Sequence, residues 1–243
     1  MARLMPHAPI PIVALDVSTA DAALALADRL GDSCSFYKVG GELFTSAGPH
    51  IVEALRARGN QIFLDLKFHD IPNTVRKSAA AAAALGASLI TVHASGGAPM
   101  IAAAVEGAGN KCGVLAVTVL TSLDAETVAT AWGRSELSMQ DEVLRLARLA
   151  QSAGAAGVVC SGAEAGMLRE ALGPEFALLV PGIRLPGSPA NDQSRTVTPA
   201  EAAAAGATYI ILGRTVTSAP DPVAAMQAAK EAATAKMEPI ERR

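Results

Sequence analysis

The chain has 243 residues, of which 51% are hydrophobic, 18% are charged and only 3% are aromatic. This composition is typical of a globular protein whose core is built from aliphatic side chains, and it excludes a disordered or collagen-like chain. The formal net charge is −3, and the basic residues are dispersed along the sequence. The chain therefore offers no long-range attraction for nucleic acid or an anionic membrane, and we expect neither as a partner.

The three cysteines, Cys34, Cys112 and Cys160, lie far apart in apolar segments and form no C-x-x-C pair. This pattern predicts buried free thiols in a reducing compartment. No apolar run reaches the roughly 18 residues of a membrane-spanning helix, and Pro11 and Asp16 interrupt the apolar stretch near the N-terminus. We therefore expect a cytoplasmic protein with neither an export signal nor a membrane segment.

Short β-rich runs alternate with Ala- and Leu-rich helical stretches along the whole chain. Strands that are apolar on both faces and separated by helices indicate a parallel sheet. In chain order the predicted elements are strand 11–18, helix 19–30, strand 35–41, helix 49–58, strand 61–67, helix 72–85, strands 88–95 and 113–122, helix 142–152, strands 156–162, 176–183 and 208–214, and helix 221–236.

Eight strands in about 250 residues fit a (β/α)8 TIM barrel, and a doubly wound open sheet is the alternative. Polar residues favour the barrel because they follow strand after strand at its C-terminal end, whereas an open sheet would gather them at one switch point. No linker divides the chain, so we predict one barrel domain over residues 1–243, with a long loop at 184–198. The polar strand-end residues are Asp16, Lys38, Asp65, Lys67, His93, Thr121, Ser161, Arg184 and Arg214.

The stretch "QIFLDLKFHDIPNTV" places three charges in an otherwise apolar run. Residues i and i+2 of a strand share a face, so Asp65 and Lys67 are expected to point into the barrel mouth. Asp70 falls on the loop before Pro72, and Lys38 ends the neighbouring strand. Burying such charges costs several kcal/mol per ion unless each is partnered, and clusters of this kind are often catalytic. The alternative is a structural salt bridge, with Asp70 as a helix N-cap.

"FLDLKFHDIPNTV" resembles the signature of the orotidine 5'-phosphate decarboxylase family. Further segments resemble that family between about residue 12 and residue 225: "ALDV", "FYKVGGELF", "TVHASGG", "VTVLTS", "PGIRLPGSPANDQSR" and "ILGRTVTSAPDP". The resemblance implies a (β/α)8 barrel, a homodimer with active sites at the subunit interface, and the conversion of orotidine 5'-phosphate to UMP in pyrimidine synthesis. It also implies chemistry without a cofactor or a metal.

The same resemblance implies catalytic roles for four residues. Lys67 would donate the proton to C6 of the pyrimidine, where loss of CO2 leaves a carbanion. Asp65 would lie against the substrate carboxylate, and Lys38 would order the array and contact the ribose. Asp70 would come from the partner subunit. Two ammonium groups then balance two carboxylates.

Substrate binding is likewise implied for further residues. Asp16 would bind a ribose hydroxyl, with capping of the helix near Thr19 as the alternative. Thr121 would read the pyrimidine edge, and Ile71 and Thr74 would contribute from the partner's loop.

The phosphate is expected at the last two strands, where barrel enzymes commonly bind this group. Arg184 and Gln193 flank the Gly- and Pro-containing loop 184–198, which we expect to close over the ligand. The backbone of Gly213 and the guanidinium of Arg214 follow the last strand. An arginine fork can hold two phosphate oxygens.

Histidines are not assigned to the chemistry. His93 stands at a strand end, but the proton donor is already assigned, so we expect a hydrogen-bonded structural role. His69 falls off the Asp65 and Lys67 face if the strand continues. The four histidines show no metal-ligand spacing.

Two other functions remain open. A Mg-dependent keto-sugar-phosphate decarboxylase or aldolase of the same superfamily would share D-x-K-x-x-D. Those relatives resemble this chain at the signature but carry a glutamate where this chain has Lys38. A non-catalytic nucleotide-phosphate binding protein is the second. Segment 122–139, which includes Trp132, receives no role.

Overall fold

The computed structural model describes residues 8–185 and 196–235. Eight parallel strands form a closed barrel in sequence order, and the last strand pairs with the first. The predicted barrel is confirmed, and the open sheet is wrong. The strands are β1 (Ile10–Ala14), β2 (Phe36–Gly40), β3 (Gln61–Phe68), β4 (Leu89–His93), β5 (Gly113–Val117), β6 (Gly157–Val159), β7 (Ala177–Val180) and β8 (Tyr209–Leu212).

Helices cover the outside of the barrel, and short 3-10 turns lie at Gly31–Ser33 and Ala94–Gly96. None of the helices in the described ranges combines the length and the apolar character that crossing a bilayer requires. The helices are α1 (Ala20–Leu30), α2 (Gly41–Ala47), α3 (His50–Ala57), α4 (Pro72–Ala84), α5 (Ala98–Ala108), α6 (Ala125–Ala131), α7 (Met139–Ser152), α8 (Gly162–Leu172), α9 (Pro199–Ala204), α10 (Arg214–Thr217) and α11 (Pro222–Thr234).

Alternation along each strand divides the buried residues into two layers. Side chains that point outward pack with the helices, and those that point inward fill the barrel. Two positions beyond the inward residues Ala14 and Phe63 stand Asp16 and Asp65. The same alternation that builds the core therefore delivers polar groups to its C-terminal mouth. The inward layer consists of Ile12, Ala14, Phe36, Phe63, Leu89, Leu115, Leu179 and Ile211.

The helix ends follow the capping signals in the sequence. The hydroxyl of Thr19 accepts a hydrogen bond from Ala22 N at the start of α1, and the carboxylate of Asp221 accepts one from Ala224 N at the start of α11. Pro72 occupies the first turn of α4, where its missing N–H costs nothing. These ends agree with the predicted ones to within two residues.

The fifth strand is shorter than predicted. Residues 113–122 were expected to form one strand, but β5 ends at Val117. Beyond it the N–H and the hydroxyl of Thr118 both donate to Val159 O, and the N–H of Leu123 closes a turn onto Leu120 O. The chain therefore bends across the barrel mouth, which a β-rich composition alone does not predict.

Helices α4 and α5 touch at a glycine. A Cβ on Gly107 would stand 2.0 Å from Arg76 O, so only glycine permits this approach of the two backbones. The contact fixes α4, whose first turn follows the charged loop after β3. It thereby holds the position of that loop.

The loop after β7 is closed at its base. Ile183 and Val197 form a parallel β-bridge, and the N–H of Arg184 donates to Val197 O at 2.9 Å. The ends of the predicted loop 184–198 are thus tied together, while residues 186–195 lie outside the described part of the chain.

Segment 122–139 contains the short helix α6 and is anchored to α7 through a buried carboxylate. Glu142 is almost fully buried and accepts hydrogen bonds from Arg145 and, at 2.9 Å, from Arg134. The Arg145 guanidinium, aided by Arg134, holds the pKa of Glu142 below its usual value of 4.5 against the opposing effect of burial.

We expect Glu142→Gln to lower the free energy of unfolding by about 1–3 kcal/mol at neutral pH, because Arg134 and Arg145 lose the charged acceptor of their hydrogen bonds. A depressed pKa means that the folded state binds fewer protons, so this contribution is present above pH 4.5 and disappears as pH falls through the folded pKa. Urea unfolding of wild type and variant at several pH values measures it. Exposed Glu170→Gln on α8 is the control, and a pH-independent difference would contradict the ion-pair explanation.

Candidate active site

A cavity of about 680 Å3 opens at the C-terminal mouth of the barrel. Its lower wall is the apolar inward layer, which includes Phe63, Leu179 and Ile211. Its rim carries most of the residues that the sequence analysis predicted for the active site. These are Asp16, Lys38, Asp65, Lys67, Thr121, Arg184, Gly213 and Arg214.

Asp65 and Lys67 form the central ion pair of this cavity. The Lys67 Nζ lies 2.9 Å from each carboxylate oxygen of Asp65. The Asp65 side chain is 12% exposed and that of Lys67 is 38% exposed, so the carboxylate is shielded while the ammonium group faces the cavity. The shielded carboxylate of Asp65 can therefore orient the Lys67 ammonium, a potential proton donor, toward a ligand bound in the cavity.

The backbone reaches this arrangement through a bulge in β3. Leu64 pairs with Ile90 and Phe68 pairs with Val92, so β3 advances four residues while β4 advances two. Lys67 has a φ of +49°, in the left-handed region that residues other than glycine seldom adopt. The shared direction of Asp65 and Lys67 was predicted correctly, but it arises from a bulge and not from the alternation of a regular strand.

Thr91 is a polar contact that the sequence analysis missed. Its hydroxyl donates to Asp65 Oδ1 at 2.8 Å and accepts from the backbone N–H of Lys67 at 3.0 Å. The available signal was its place in β4, where it is a lone hydroxyl two residues before His93 in an apolar strand.

Lys38 connects two carboxylates. Its Nζ lies 2.8 Å from Asp16 Oδ1 and 3.8 Å from Asp65 Oδ2. The Lys38 side chain is well buried, whereas that of Asp16 is 63% exposed. Asp16 therefore pairs with Lys38 and leaves much of its carboxylate accessible. The alternative role of Asp16 as a cap of α1 is wrong, because Thr19 caps that helix.

Asp70, Ile71 and Thr74 do not line this cavity. The carboxylate of Asp70 accepts from the N–H of Ile71, and Ile71 is itself the N-cap residue of α4, so the alternative of Asp70 as the N-cap is wrong. All three residues are exposed on the outer rim, and Ile71 is 68% exposed. Within one chain they stand apart from the ion pairs.

The opposite side of the mouth carries arginines. Arg184 is only 9% exposed, its Nη1 donates to Ile183 O, and its buried Nε has no hydrogen-bond partner among residues 8–185 and 196–235. Gly213 and the exposed Arg214 border the same side at the start of α10. Gln193 lies outside the described residues. This side of the cavity suits an anion.

Two histidine rings lie close together beside the ion pair. The ring centroids of His69 and His93 are 5.3 Å apart. Burial lowers the pKa of His93 below its usual 6.5, and His69 and Lys67 lower it further, while Asp65 acts in the opposite direction. Neither ring lines the cavity. Over residues 8–185 and 196–235, no cluster of three His, Cys, Asp or Glu side chains is arranged to hold a metal ion.

The sequence of the chain is similar to those of one known protein family. A family model described as orotidine 5'-phosphate decarboxylase / HUMPS family matches residues 9–229. Proteins named orotidine 5'-phosphate decarboxylase are similar over most of their length. That of Chromobacterium violaceum is 51% identical over 220 residues, which are 89% of this chain and 88% of the relative. That of Anaeromyxobacter sp. (strain K) is 52% identical over 218 residues, 88% and 94% respectively.

A solved structure supports the same relationship. The crystal structure of orotidine 5'-phosphate decarboxylase from Lactobacillus acidophilus superimposes with a TM-score of 0.82 at 40% identity. The match covers 93% of this chain and 99% of that one.

Gly40 tests how closely the ion pairs are fitted. A Cβ on Gly40 would stand 3.0 Å from Lys38 Nζ, and the backbone there is ordinary extended. We expect Gly40→Ala to displace the ammonium by a few tenths of an ångström and to lower kcat/KM about three- to tenfold, since small misplacements of site groups are costly. Steady-state kinetics of the wild type and the variant give this change in kcat/KM.

The neighbouring Gly41→Ala is the matched control, because its added Cβ meets open space. Equal activity in the two variants would show that the site tolerates movement of Lys38.

Proposed function

The chain belongs to the orotidine 5'-phosphate decarboxylase / HUMPS family, and we infer that its function is the decarboxylation of orotidine 5'-phosphate to UMP. This reaction, the one for which its curated relatives are named, completes the synthesis of the pyrimidine nucleotide. The observation that carries the assignment within the family is the contact of Lys67 with Asp65 at the barrel mouth, with Lys38 as a second cation.

The chemistry requires stabilisation of a carbanion. When CO2 leaves, the electron pair of the broken C–C bond remains on C6 of the pyrimidine, where no π-system can absorb it. Preorganised charge in a site shielded from water is the means a protein has to stabilise such an anion. We assign this role to the Lys67 ammonium, which then gives C6 a proton from Nζ and recovers one from solvent.

Asp65 contributes in the ground state. A substrate carboxylate placed about 4 Å from the Asp65 carboxylate would experience a repulsion of about 4 kcal/mol at an effective dielectric of 20, and departure of CO2 relieves it. Asp65 is shielded, and its hydrogen bonds with Lys67 and Thr91 prevent its carboxylate from moving away from the substrate. Ground-state repulsion thus adds to stabilisation of the carbanion.

Ribose and phosphate contacts hold the rest of the substrate. Asp16, whose side chain is 63% exposed, would accept a hydrogen bond from a ribose hydroxyl, and Thr121, which borders the cavity, would contact the pyrimidine edge. The Nε of Arg184, which has no partner in the described part of the chain, would donate to a phosphate oxygen. Gln193, Gly213 and Arg214 complete the proposed set, whose binding energy would organise the distant reacting carbon.

The assembly we propose is a homodimer with shared sites. Asp70, Ile71 and Thr74 stand on an exposed rim, outside the cavity of their own chain, and the large apolar side chain of Ile71 faces solvent. An interface at this rim would bury Ile71 and carry the carboxylate of Asp70 to the Lys67 of the partner. Isologous dimers of this kind are the commonest oligomers.

The remaining assignments are also proposals. We take residues 1–243 as one domain and the loop 184–198 as the phosphate-gripping segment, which the closed base at Ile183 and Val197 supports. A cytoplasmic location is supported by the cysteines, all of which are free and buried. Burial raises the pKa of Cys112 to about 11, so this thiol stays protonated.

A Mg-dependent sugar-phosphate relative would need a carboxylate where this chain has Lys38. The Lys38 ammonium lies 2.8 Å from Asp16 and 3.8 Å from Asp65, and its positive charge would repel a divalent cation bound to these carboxylates. A lysine at this position therefore favours a reaction that depends on no metal.

Decarboxylation of orotidine 5'-phosphate in the presence of EDTA tests the function. We expect the wild-type protein to be fully active and Lys67→Ala to lose at least about 10³-fold in kcat, because a proton donor and the main cation disappear together. Exposed Lys111→Ala, at the opposite end of the barrel, is the control. Sensitivity to EDTA would favour the metal-dependent relatives, and an inactive wild type would favour a binding protein.

Mixed dimers test the shared site. Lys67→Ala and Asp70→Asn are each expected to be nearly inactive alone. Random association makes half of the dimers hybrids, and each hybrid has one intact site, so mixed refolding should restore about a quarter of wild-type activity. If Asp70 acts within its own chain, no hybrid site is intact and no activity returns.

A further inference from the structure

The inward rim of β4 carries a hydroxyl that the proposed mechanism does not yet use. Thr91 is fully buried and does not line the cavity. It contacts two of the residues assigned to the chemistry, Asp65 and Lys67.

The register of the two strands explains why one residue meets both. Ile90 pairs with Leu64 and Val92 pairs with Phe68, so Thr91 alone faces the three bulged residues 65–67. A bulge leaves backbone groups of the longer strand without a regular ladder partner. Here the N–H of Lys67 donates to the Thr91 hydroxyl, so a side chain replaces the backbone carbonyl that would accept this bond in a regular ladder.

The direction of each hydrogen bond is fixed by the chemistry of the groups. A backbone N–H can only donate, so the Thr91 oxygen accepts from Lys67. Its single proton is therefore free for Asp65 Oδ1, 2.8 Å away. One hydroxyl thus ties the backbone of the proposed proton donor to the carboxylate that the donor's own ammonium contacts.

We propose that Thr91 is a positioning residue for the decarboxylation, holding Lys67 in its left-handed conformation and Asp65 in its rotamer. The inference rests on the proposed function and deepens it. A φ of +49° is unfavourable for lysine and persists only where surrounding contacts enforce it. The hydrogen bond from Lys67 N to Thr91 is such a contact, and at full burial water cannot replace it.

The loss expected on removing the hydroxyl falls on turnover and not on affinity. Ribose and phosphate contacts would remain, so KM should change little. The Lys67 ammonium would lose its fixed distance to C6, and displacements below 1 Å at a reacting group cost up to about a hundredfold. An interaction needed only for the chemical step appears in kcat.

The experiment compares substitutions that differ in the hydroxyl alone. Thr91→Val keeps the shape and removes the hydroxyl, and we expect kcat to fall about ten- to a hundredfold with KM within about threefold of wild type. Thr91→Ser keeps the hydroxyl and should retain kcat to within about threefold. Thr91→Ala and Thr91→Ser form a second pair that tests the same point if Thr91→Val does not fold.

Thr118→Val is the matched control. Thr118 is a buried threonine one residue past β5, and its hydroxyl donates to Val159 O at 3.1 Å without contact to the ion pairs. Its loss should lower thermal stability about as much as the loss at Thr91 while leaving kcat unchanged to within about twofold.

The outcomes separate this inference from the function it rests on. If kcat of Thr91→Val matches that of Thr118→Val, or Thr91→Ser is as impaired as Thr91→Ala, the positioning role is overturned while the function stands. A wild-type protein without decarboxylase activity overturns the proposed function itself.

Discussion

The shielded carboxylate of Asp65 is the constraint around which the site is built. A buried anion costs several kcal/mol unless it is fully partnered. Its partners come from three adjacent strands: Lys67 from β3, Thr91 from β4 and Lys38 from β2. Because none of these can be withdrawn without leaving a charge or a polar group unsatisfied, the rims of the three strands are locked to one another.

The apolar interior of the barrel gives these charges their strength. Directly below Asp65 and Lys67 the inward layer consists of Phe63, Leu89 and other hydrocarbon side chains, so little water reaches the array from beneath. Electrostatic interactions grow as the effective dielectric falls. The aliphatic interior of the barrel therefore strengthens the ion pairs at its mouth.

Sequence reasoning located the rim but not its internal connections. Alternation in "FLDLK" gave Asp65 and Lys67 the right direction, yet the real cause is a two-residue bulge against β4. Pairing of Lys38 with Asp16 was missed because each was judged only by its own strand end. Thr91 was passed over since nothing in "LITVH" reveals which neighbouring residues its hydroxyl meets. Each omission concerns a contact between strands.

The sequence alone determined the eight strands, five of the helices and the end of the barrel that carries polar groups. These features follow from periodicity and capping, which act over a few neighbouring residues. Only the tertiary structure decided that the sheet closes, that Lys67 takes a left-handed backbone and that the Arg184 guanidinium is buried. Closure, register and burial depend on the packing of segments far apart in the chain, and no local pattern encodes the distance between them.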